Sequence, residues 1–389
     1  MSNFKVGPTV YFGAGELKEL REINCKKAFI VTDPFIVTSG FIKKITDHLD
    51  AAGKQYEVFS EIVPDPPLGV VAKGIKAMDA FDGDAIIAIG GGSAIDSAKA
   101  ISYFRALVKK GLQPNAESKK PLFIAIPTTS GTGSEVTSFA VITDKKFNIK
   151  YPLVDEEMVP DMAILDAELV KSVPASITAD TGMDVLTHAI EAYVSTESSD
   201  FSDALAEKAI KLVFEYLQRA YKDGSDIEAR EKMHNASCIA GLAFTNASLG
   251  INHSMAHILG GRFHIPHGKA NAVLLPYVIE YNADLKTGFS SEYTEAAKRY
   301  AEIAKFLNLT SSNNVREGVK ALIRGIASLK KTLGIPAKLK ELNVERDEFN
   351  KNLNDLAEIA LKDGCTETNP RKPEVEELKE LFQKVYNGI

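Results

Sequence analysis

The ten residues DAIIAIGGGS, Asp84 to Ser93, restrict the fold more than any other stretch of this chain. Apolar residues run without alternation, as in a strand buried on both faces, and the run stops at a glycine turn from which a helix can start. PLFIAIPTT, Pro121 to Thr129, repeats the pattern. KKAFIVTD, Lys26 to Asp33, ends in the turn signal Asp33-Pro34, and QYEVFSEIV, Gln55 to Val63, precedes the loop Pro64-Asp65-Pro66-Pro67. Helical periodicity follows the first of these strands as far as Ala52 and returns from Leu68 to Phe81. Strands alternating with helices predict a doubly wound, mostly parallel α/β sheet, whose ligands bind beyond the carboxyl ends of the strands.

After about Pro174 strand-like runs disappear and helical segments follow one another to the end. A chain of 389 residues exceeds the size at which one core keeps growing. The expectation is therefore an α/β domain over residues 1–173 and an all-α domain over 174–389. No internal repeat or low-complexity linker is evident, and the charged stretch between Asn343 and Lys351 reads as a solvated loop or helix face. A net charge of -6 argues against a nucleic-acid partner. Cys25, Cys238 and Cys365 are too far apart for a Cys-rich metal site and suit reduced thiols better than a disulfide framework. The opening MSNFKVGPTVYFG has no apolar h-region and no apolar run is long enough to span a bilayer, so a soluble cytoplasmic protein without a membrane partner is expected.

Two loops carry the chemistry of the first half. GGGSAIDSAK, Gly90 to Lys99, lets a ligand approach the backbone closely and presents helix-start amides suited to phosphate oxygens. PTTSGTGSE, Pro127 to Glu135, follows the next strand, and the two together would make a wall of amides and hydroxyls fit for a pyrophosphate. Neither loop is the usual GxGxxG fingerprint, and either alone is compatible with a tight turn. Asp33, at the end of the first strand, could accept from ribose hydroxyls and repel a 2′-phosphate, or could simply form the turn before Pro34.

In the second half, five of seven histidines fall at His188, His253, His257, His264 and His267. Asp184 and His188 share one helix face, as His253 and His257 share another. Neutral imidazoles with one carboxylate are common ligands for iron and zinc, so the combination points to a metal, although any single histidine is better read as a capping or core residue. A cation would also explain why a carboxylate is tolerated among the apolar residues around Asp184. His264 takes the structural reading, and His48 and His234 are explained by solvation or packing.

Taken together, GGGSAID, PTTSGTGSE, GMDVLTHAIEAY and NHSMAHILGGRFHIPHGKANAVLLP resemble the iron-containing (group III) alcohol dehydrogenases, and the likeness extends to CTETNPR at Cys365 to Arg371. SDFSDALAEKAIKLVF and REKMHNAS are most similar to propanol dehydrogenases associated with bacterial microcompartments. The resemblance implies an N-terminal dinucleotide-binding domain and a helical C-terminal domain, the iron alcohol dehydrogenase or dehydroquinate synthase-like architecture. It implies a divalent metal, Fe2+ with Zn2+ as the alternative, held by Asp184, His188, His253 and His267, with His257 near the nicotinamide. For NAD(H) it implies Asp33 at the adenosine ribose, Gly91, Gly92 and Ser93 at the pyrophosphate, and Thr128, Thr129 and Thr132 in the second loop. Val141 and Lys150 match further cofactor contacts, and Asp65 stands where relatives often carry Asn. The implied reaction interconverts short-chain primary alcohols and aldehydes, such as 1-propanol and propanal, with the metal acting as a Lewis acid. A homo-oligomer, and microcompartment shell or enzymes, are the implied macromolecular partners. A polyol dehydrogenase, a metal-dependent lyase or hydrolase, and an NAD-binding scaffold are the rival readings.

Overall fold

The computed structural model describes residues 3–112, 120–144, 149–285 and 292–388. The chain divides into two compact units, Lys5–Ser172 on the one hand and Val173–Ile389 with Met1–Phe4 on the other.

In the first unit the elements run β1 (Thr9–Phe12), β2 (Lys27–Val31), α1 (Pro34–Thr38), α2 (Lys43–Ala51), β3 (Gln55–Phe59) and α3 (Leu68–Phe81). They continue with β4 (Ala85–Gly90), α4 (Gly92–Leu112), β5 (Leu122–Pro127), β6 (Phe139–Asp144), β7 (Ile149–Val154) and β8 (Met162–Leu165). Six strands form one sheet in the order β1-β8-β5-β4-β2-β3, and β6 and β7 form a separate ribbon. Every pairing in the large sheet is parallel, and the ribbon is antiparallel.

The unbroken apolar runs have a direct cause. Ile87 and Ile89 of β4 join Ile30, Ile124 and Ile126 in the core on one face, while Ile86 and Ala88 join Phe29, Phe123 and Ala125 in the core on the other. A strand with both faces covered has no use for polar alternation. Each fully buried isoleucine contributes about 1.5–3 kcal/mol. The expected strands all appear, trimmed at their ends to β2, β3, β4 and β5. The short strands β1 and β8 and the ribbon β6-β7 were not foreseen.

The strand order also fixes where a ligand can sit. The chain moves outward from β2 to β3, then returns to lay β4 on the other side of β2 and moves outward to β5. The reversal falls between β2 and β4, whose carboxyl ends carry Asp33 and the glycine turn.

The second unit is built from α5 (Ala175–Val194), α6 (Asp200–Lys222), α7 (Ile227–Ala247), α8 (Ile251–Phe263) and α9 (His267–Ala283). It ends with α10 (Glu295–Phe306), α11 (Val315–Thr332), α12 (Arg346–Lys362) and α13 (Val375–Asn387). No strand occurs among its described residues. Helix α5 packs against α6, α7 and α9 and is buried almost throughout from Gly182 to Val194. That is why its sequence looks apolar on every side. The charged stretch after Asn343 opens α12, with its first turn exposed and Phe349 turned into the core. None of the described helices is long and apolar enough to cross a membrane.

Candidate metal centre and cofactor loops

The buried carboxylates and imidazole of α5 fall at Asp184, His188 and Glu191, spaced i, i+4 and i+7, so they line one face of the helix. Helix α8 presents His253 to that face and α9 presents His267 from its first residue. One donor atom from each of Asp184, His188, His253 and His267 can be chosen so that all four lie within 4.8 Å of one another. Asp184 Oδ1 stands 3.8 Å from His253 Nε2 and 3.6 Å from His267 Nε2. The His188 ring stacks between Phe244 and His253, at centroid distances of 4.6 and 4.5 Å.

Electrostatics at this cluster favour a cation. Burial pushes the Asp184 carboxyl up from its ordinary value, opposed by His188 and by the Asn271 side-chain amide. Burial, with the neighbouring histidines, holds His253 well below an ordinary imidazole, which keeps it in the neutral form that ligates. One carboxylate and three imidazoles suit Fe2+ or Zn2+. The residues present therefore fit a divalent metal of that kind.

His257, one turn beyond His253, stands outside the four-donor set. Its ring lies nearly parallel to that of His267, 13° apart at 5.4 Å, and its Nδ1 pairs with Asp363 Oδ2 at 2.8 Å. The side chain is 44% exposed. Burial pushes Asp363 up, but the hydrogen bond and charge of His257 and the amide of Cys365 outweigh it and leave the carboxyl at about 2. His264 takes the left-handed position that ends α8, and His48 accepts from Arg21 Nε at 3.0 Å. None of the three cysteines is joined in a disulfide.

In the first unit the two loops meet. Gly90 has φ +149°, a conformation open to glycine, and a Cβ there would stand 2.7 Å from Ala94 Cβ and 3.4 Å from Asp33 Oδ2. A Cβ on Gly92 would stand 2.9 Å from Thr132 Cγ2, and one on Gly91 3.4 Å from Thr129 Oγ1. The Thr128 amide donates to Gly90 O at 2.9 Å. Asp33, Gly91, Gly92, Thr128, Thr129 and Thr132 are thus neighbours, and Ser93 follows Gly92 in the first turn of α4. Asp33 Oδ1 caps α1, accepting from the amides of Phe35 and Ile36 at 2.8 and 3.1 Å, so the turn role foreseen for it is present. Asp65 is exposed with φ 51° in the loop before α3. Val141 lies in β6, its amide donating to Asp96 Oδ2 at 2.9 Å. Lys150 pairs with Thr143 in the ribbon, and its side chain lies outside the described residues.

Sequence reasoning missed a buried ionic cluster behind these loops. Asp96 Oδ1 accepts from Ser134 Oγ at 2.6 Å, tying α4 to the second loop. Fully buried Lys99 donates to Thr137 Oγ1 and Phe139 O at 2.9 and 2.6 Å. Burial lowers Lys99 to about 8 and raises Glu135 to about 7, each partly offset by the other's charge. The i, i+3 pair of charges in the helix after GGGS was the available signal. Also missed were Glu191 and Asp363, which meet Nδ1 of His253 and of His257, Asn271, whose amide faces Asp184 Oδ1 and Nε2 of His253 and His267, and Asn252 and Asn369, which hold Asn271 and the first amide of α8. Of these only Glu191 carried a signal, sharing the face of Asp184 and His188.

A family model described as iron-containing alcohol dehydrogenase matches residues 7–167, and the C-terminal model of the same family matches residues 178–386. The 1-propanol dehydrogenase PduQ of Citrobacter freundii is 45% identical over 99% of this chain and 100% of its own length. An NADPH-dependent butanol dehydrogenase of Clostridium saccharobutylicum is 44% identical over 100% of this chain and 99% of its own. The crystal structure of a sulfoacetaldehyde reductase from Bifidobacterium kashiwanohense in complex with NAD+ superposes with a TM-score of 0.85, at 32% identity, over 100% of this chain and 99% of that one.

Proposed function

The chain belongs to the iron-containing alcohol dehydrogenase family, and on that premise we propose that it reduces short-chain aldehydes with NADH, and reversibly oxidises the primary alcohols, with propanal/1-propanol and acetaldehyde/ethanol as its substrates. The observation that carries the reading is the convergence of Asp184, His188, His253 and His267 from three helices onto one point. These four residues would hold Fe2+, with Zn2+ as the alternative. When bound, the metal supplies Lewis-acid polarisation of the substrate oxygen, and NAD(H) supplies or accepts the hydride.

The chain's own residues divide the remaining work. His257, oriented through Nδ1 by Asp363, presents its other nitrogen for proton exchange with the substrate oxygen, directly or through water. Gly91, Gly92 and Ser93 offer backbone amides to a pyrophosphate, and Thr128, Thr129 and Thr132 offer amides and hydroxyls beside them. Asp33 accepts from the adenosine ribose, with Val141, Lys150 and Asp65 as further cofactor contacts. The carboxylate of Asp33 is the reason for choosing NADH over NADPH, against the NADPH dependence in the name of the butanol dehydrogenase relative. The enzyme acts in the cytoplasm as a homo-oligomer, and a bacterial microcompartment is the specific location to test.

Initial rates over a panel of aldehydes and alcohols with NADH and NADPH, alongside metal analysis of anaerobically purified protein, test the proposal. Turnover of propanal with NADH by an iron-loaded protein is the expected result. A metal-loaded protein that turns over none of the panel with either cofactor would overturn it.

A further inference from the structure

Helix α8 begins without a cap of its own. Its N-cap is Gly250, which has no side chain to offer, and the first amides of the helix are answered from distant elements. Ile251 N donates to Asn369 Oδ1 at 3.2 Å, and Asn252 N donates to Glu191 Oε1 at 2.8 Å. A Cβ on Gly250 would stand 2.7 Å from Asn369 Oδ1 and 2.8 Å from Glu191 Oε1, so glycine is what lets both partners in.

The other oxygen of Glu191 is hydrogen-bonded to His253 Nδ1. On the far edge of the same ring, Asn271 Nδ2 lies 3.1 Å from His253 Nε2. The orientation of that amide is set by Asn252, whose Nδ2 donates to Asn271 Oδ1 at 2.8 Å. An NH2 group facing Nε2 needs a lone pair there, which places the ring proton on Nδ1, facing Glu191. Asn271 Nδ2 also donates to Asp184 Oδ1 at 2.6 Å, so the same amide touches the carboxylate ligand.

We propose that Glu191 is a positioning residue for the metal centre, one oxygen accepting from the Asn252 amide and the other from His253 Nδ1–H. The tautomer of His253 and the axial position of α8 are then both set from α5, the helix that also carries Asp184 and His188. Such outer partners typically change metal affinity by about 10–100-fold when removed. The inference rests on the ligand set proposed above.

The donor count makes a sharp distinction. Glutamine has the shape of glutamate but one acceptor oxygen, so it can satisfy the Asn252 amide or His253 Nδ1–H and not both. If its oxygen caps α8, its NH2 faces Nδ1 and drives the ring proton to Nε2, the nitrogen needed for ligation. A role in packing alone, or in capping α8 alone, would be preserved by glutamine.

The test measures Zn2+ and Fe2+ affinity by chelator competition in the full-length wild type and in Glu191→Gln, Glu191→Ala and His267→Ala, with melting curves of the metal-free proteins. A loss of about 10–100-fold in Glu191→Gln as well as Glu191→Ala is expected. Wild-type affinity in Glu191→Gln overturns the proposal. Wild-type affinity in His267→Ala would sink the ligand set itself, and the proposal with it. A measurement on the wild type needs no folded variant: 15N histidine spectra of the metal-free protein should show His253 protonated at Nδ1, and protonation at Nε2 overturns the assignment.

Discussion

Gly268→Ala joins packing to the metal centre in one perturbation. Gly268 follows His267 in the first turn of α9, where the backbone lies directly on α5. A Cβ added there would stand 2.1 Å from Asp180 O, 2.7 Å from Asp180 C and 3.2 Å from Asp184 Cβ. Ordinary C···O approach begins near ~3.3 Å, so the two helices must part by roughly 1 Å. The obstruction is backbone and cannot swing away. Overpacking of this kind costs about 1–3 kcal/mol, which for a unit of this size is a fall of roughly 2–12 °C in Tm. The separation has a proposed ligand on each side, His267 on α9 and Asp184 on α5. A metal site tolerates about 0.2 Å in its bond lengths, so a shift of roughly 1 Å should weaken metal binding by at least about tenfold. Gly261→Ala in α8 is the control, because a Cβ there meets nothing within 4 Å and a helical alanine gains about 0.5–1 kcal/mol over glycine. Calorimetry and chelator competition on both variants decide the matter. Unchanged Tm and metal affinity in Gly268→Ala would refute the close α5–α9 approach and the reasoning built on it.

His257→Ala should lower turnover by about 10²–10⁴-fold while metal content persists, read by steady-state rates and metal analysis; a metal-free variant would make His257 a ligand instead. Asp33→Gly should relax the preference for NADH, measured as the ratio of kcat/KM with the two cofactors, and an unchanged ratio would remove Asp33 from the ribose. Buried Lys330 is lowered to about 8 by burial, partly offset by Glu341, and its Nζ makes a long contact to Val273 O at 3.4 Å. Between about pH 8 and 10.5 the unfolded chain holds a proton there that the folded one lacks, so stability from this group rises with pH. Lys330→Met should therefore melt above the wild type at pH 7, with the gap closing as pH rises through that window; a gap independent of pH would sink the argument.

What could be read from the sequence was whatever periodicity encodes. The strands β4 and β5 announce themselves because both faces are covered, and the i, i+4 spacing of Asp184 with His188 displays a polar face inside an apolar helix. Strands β1 and β8 did not, since each is four residues long and β1 at the sheet edge mixes exposed and half-buried positions. Glu191 had the right spacing, yet nothing in a spacing separates a carboxylate that faces a metal from one that faces the back of an imidazole. Asn271, Asp363 and Asn369 act across 18 to 118 residues of chain, a separation that no local pattern records. Asp33 shows the opposite case, in which the turn-forming use of its carboxylate was legible and leaves the ribose use to experiment.

The capping of α8 has a consequence for the order of events during synthesis. The amide of Ile251 is answered by Asn369, 118 residues downstream, and that of Asn252 by Glu191, 61 residues upstream. A nascent chain that has emerged only as far as α9 holds all four of the proposed ligand side chains, yet the first amide of its histidine helix has only water in place of Asn369. Bringing distant segments together is the slow part of folding, because the loop entropy is lost before the contact forms. Asn369 therefore completes the start of α8 only after most of the helical unit has been made. A chain clipped before Asn369 should hold a divalent metal more weakly at the proposed site than the full-length protein, read by chelator competition, even though it keeps all four of the proposed ligand side chains.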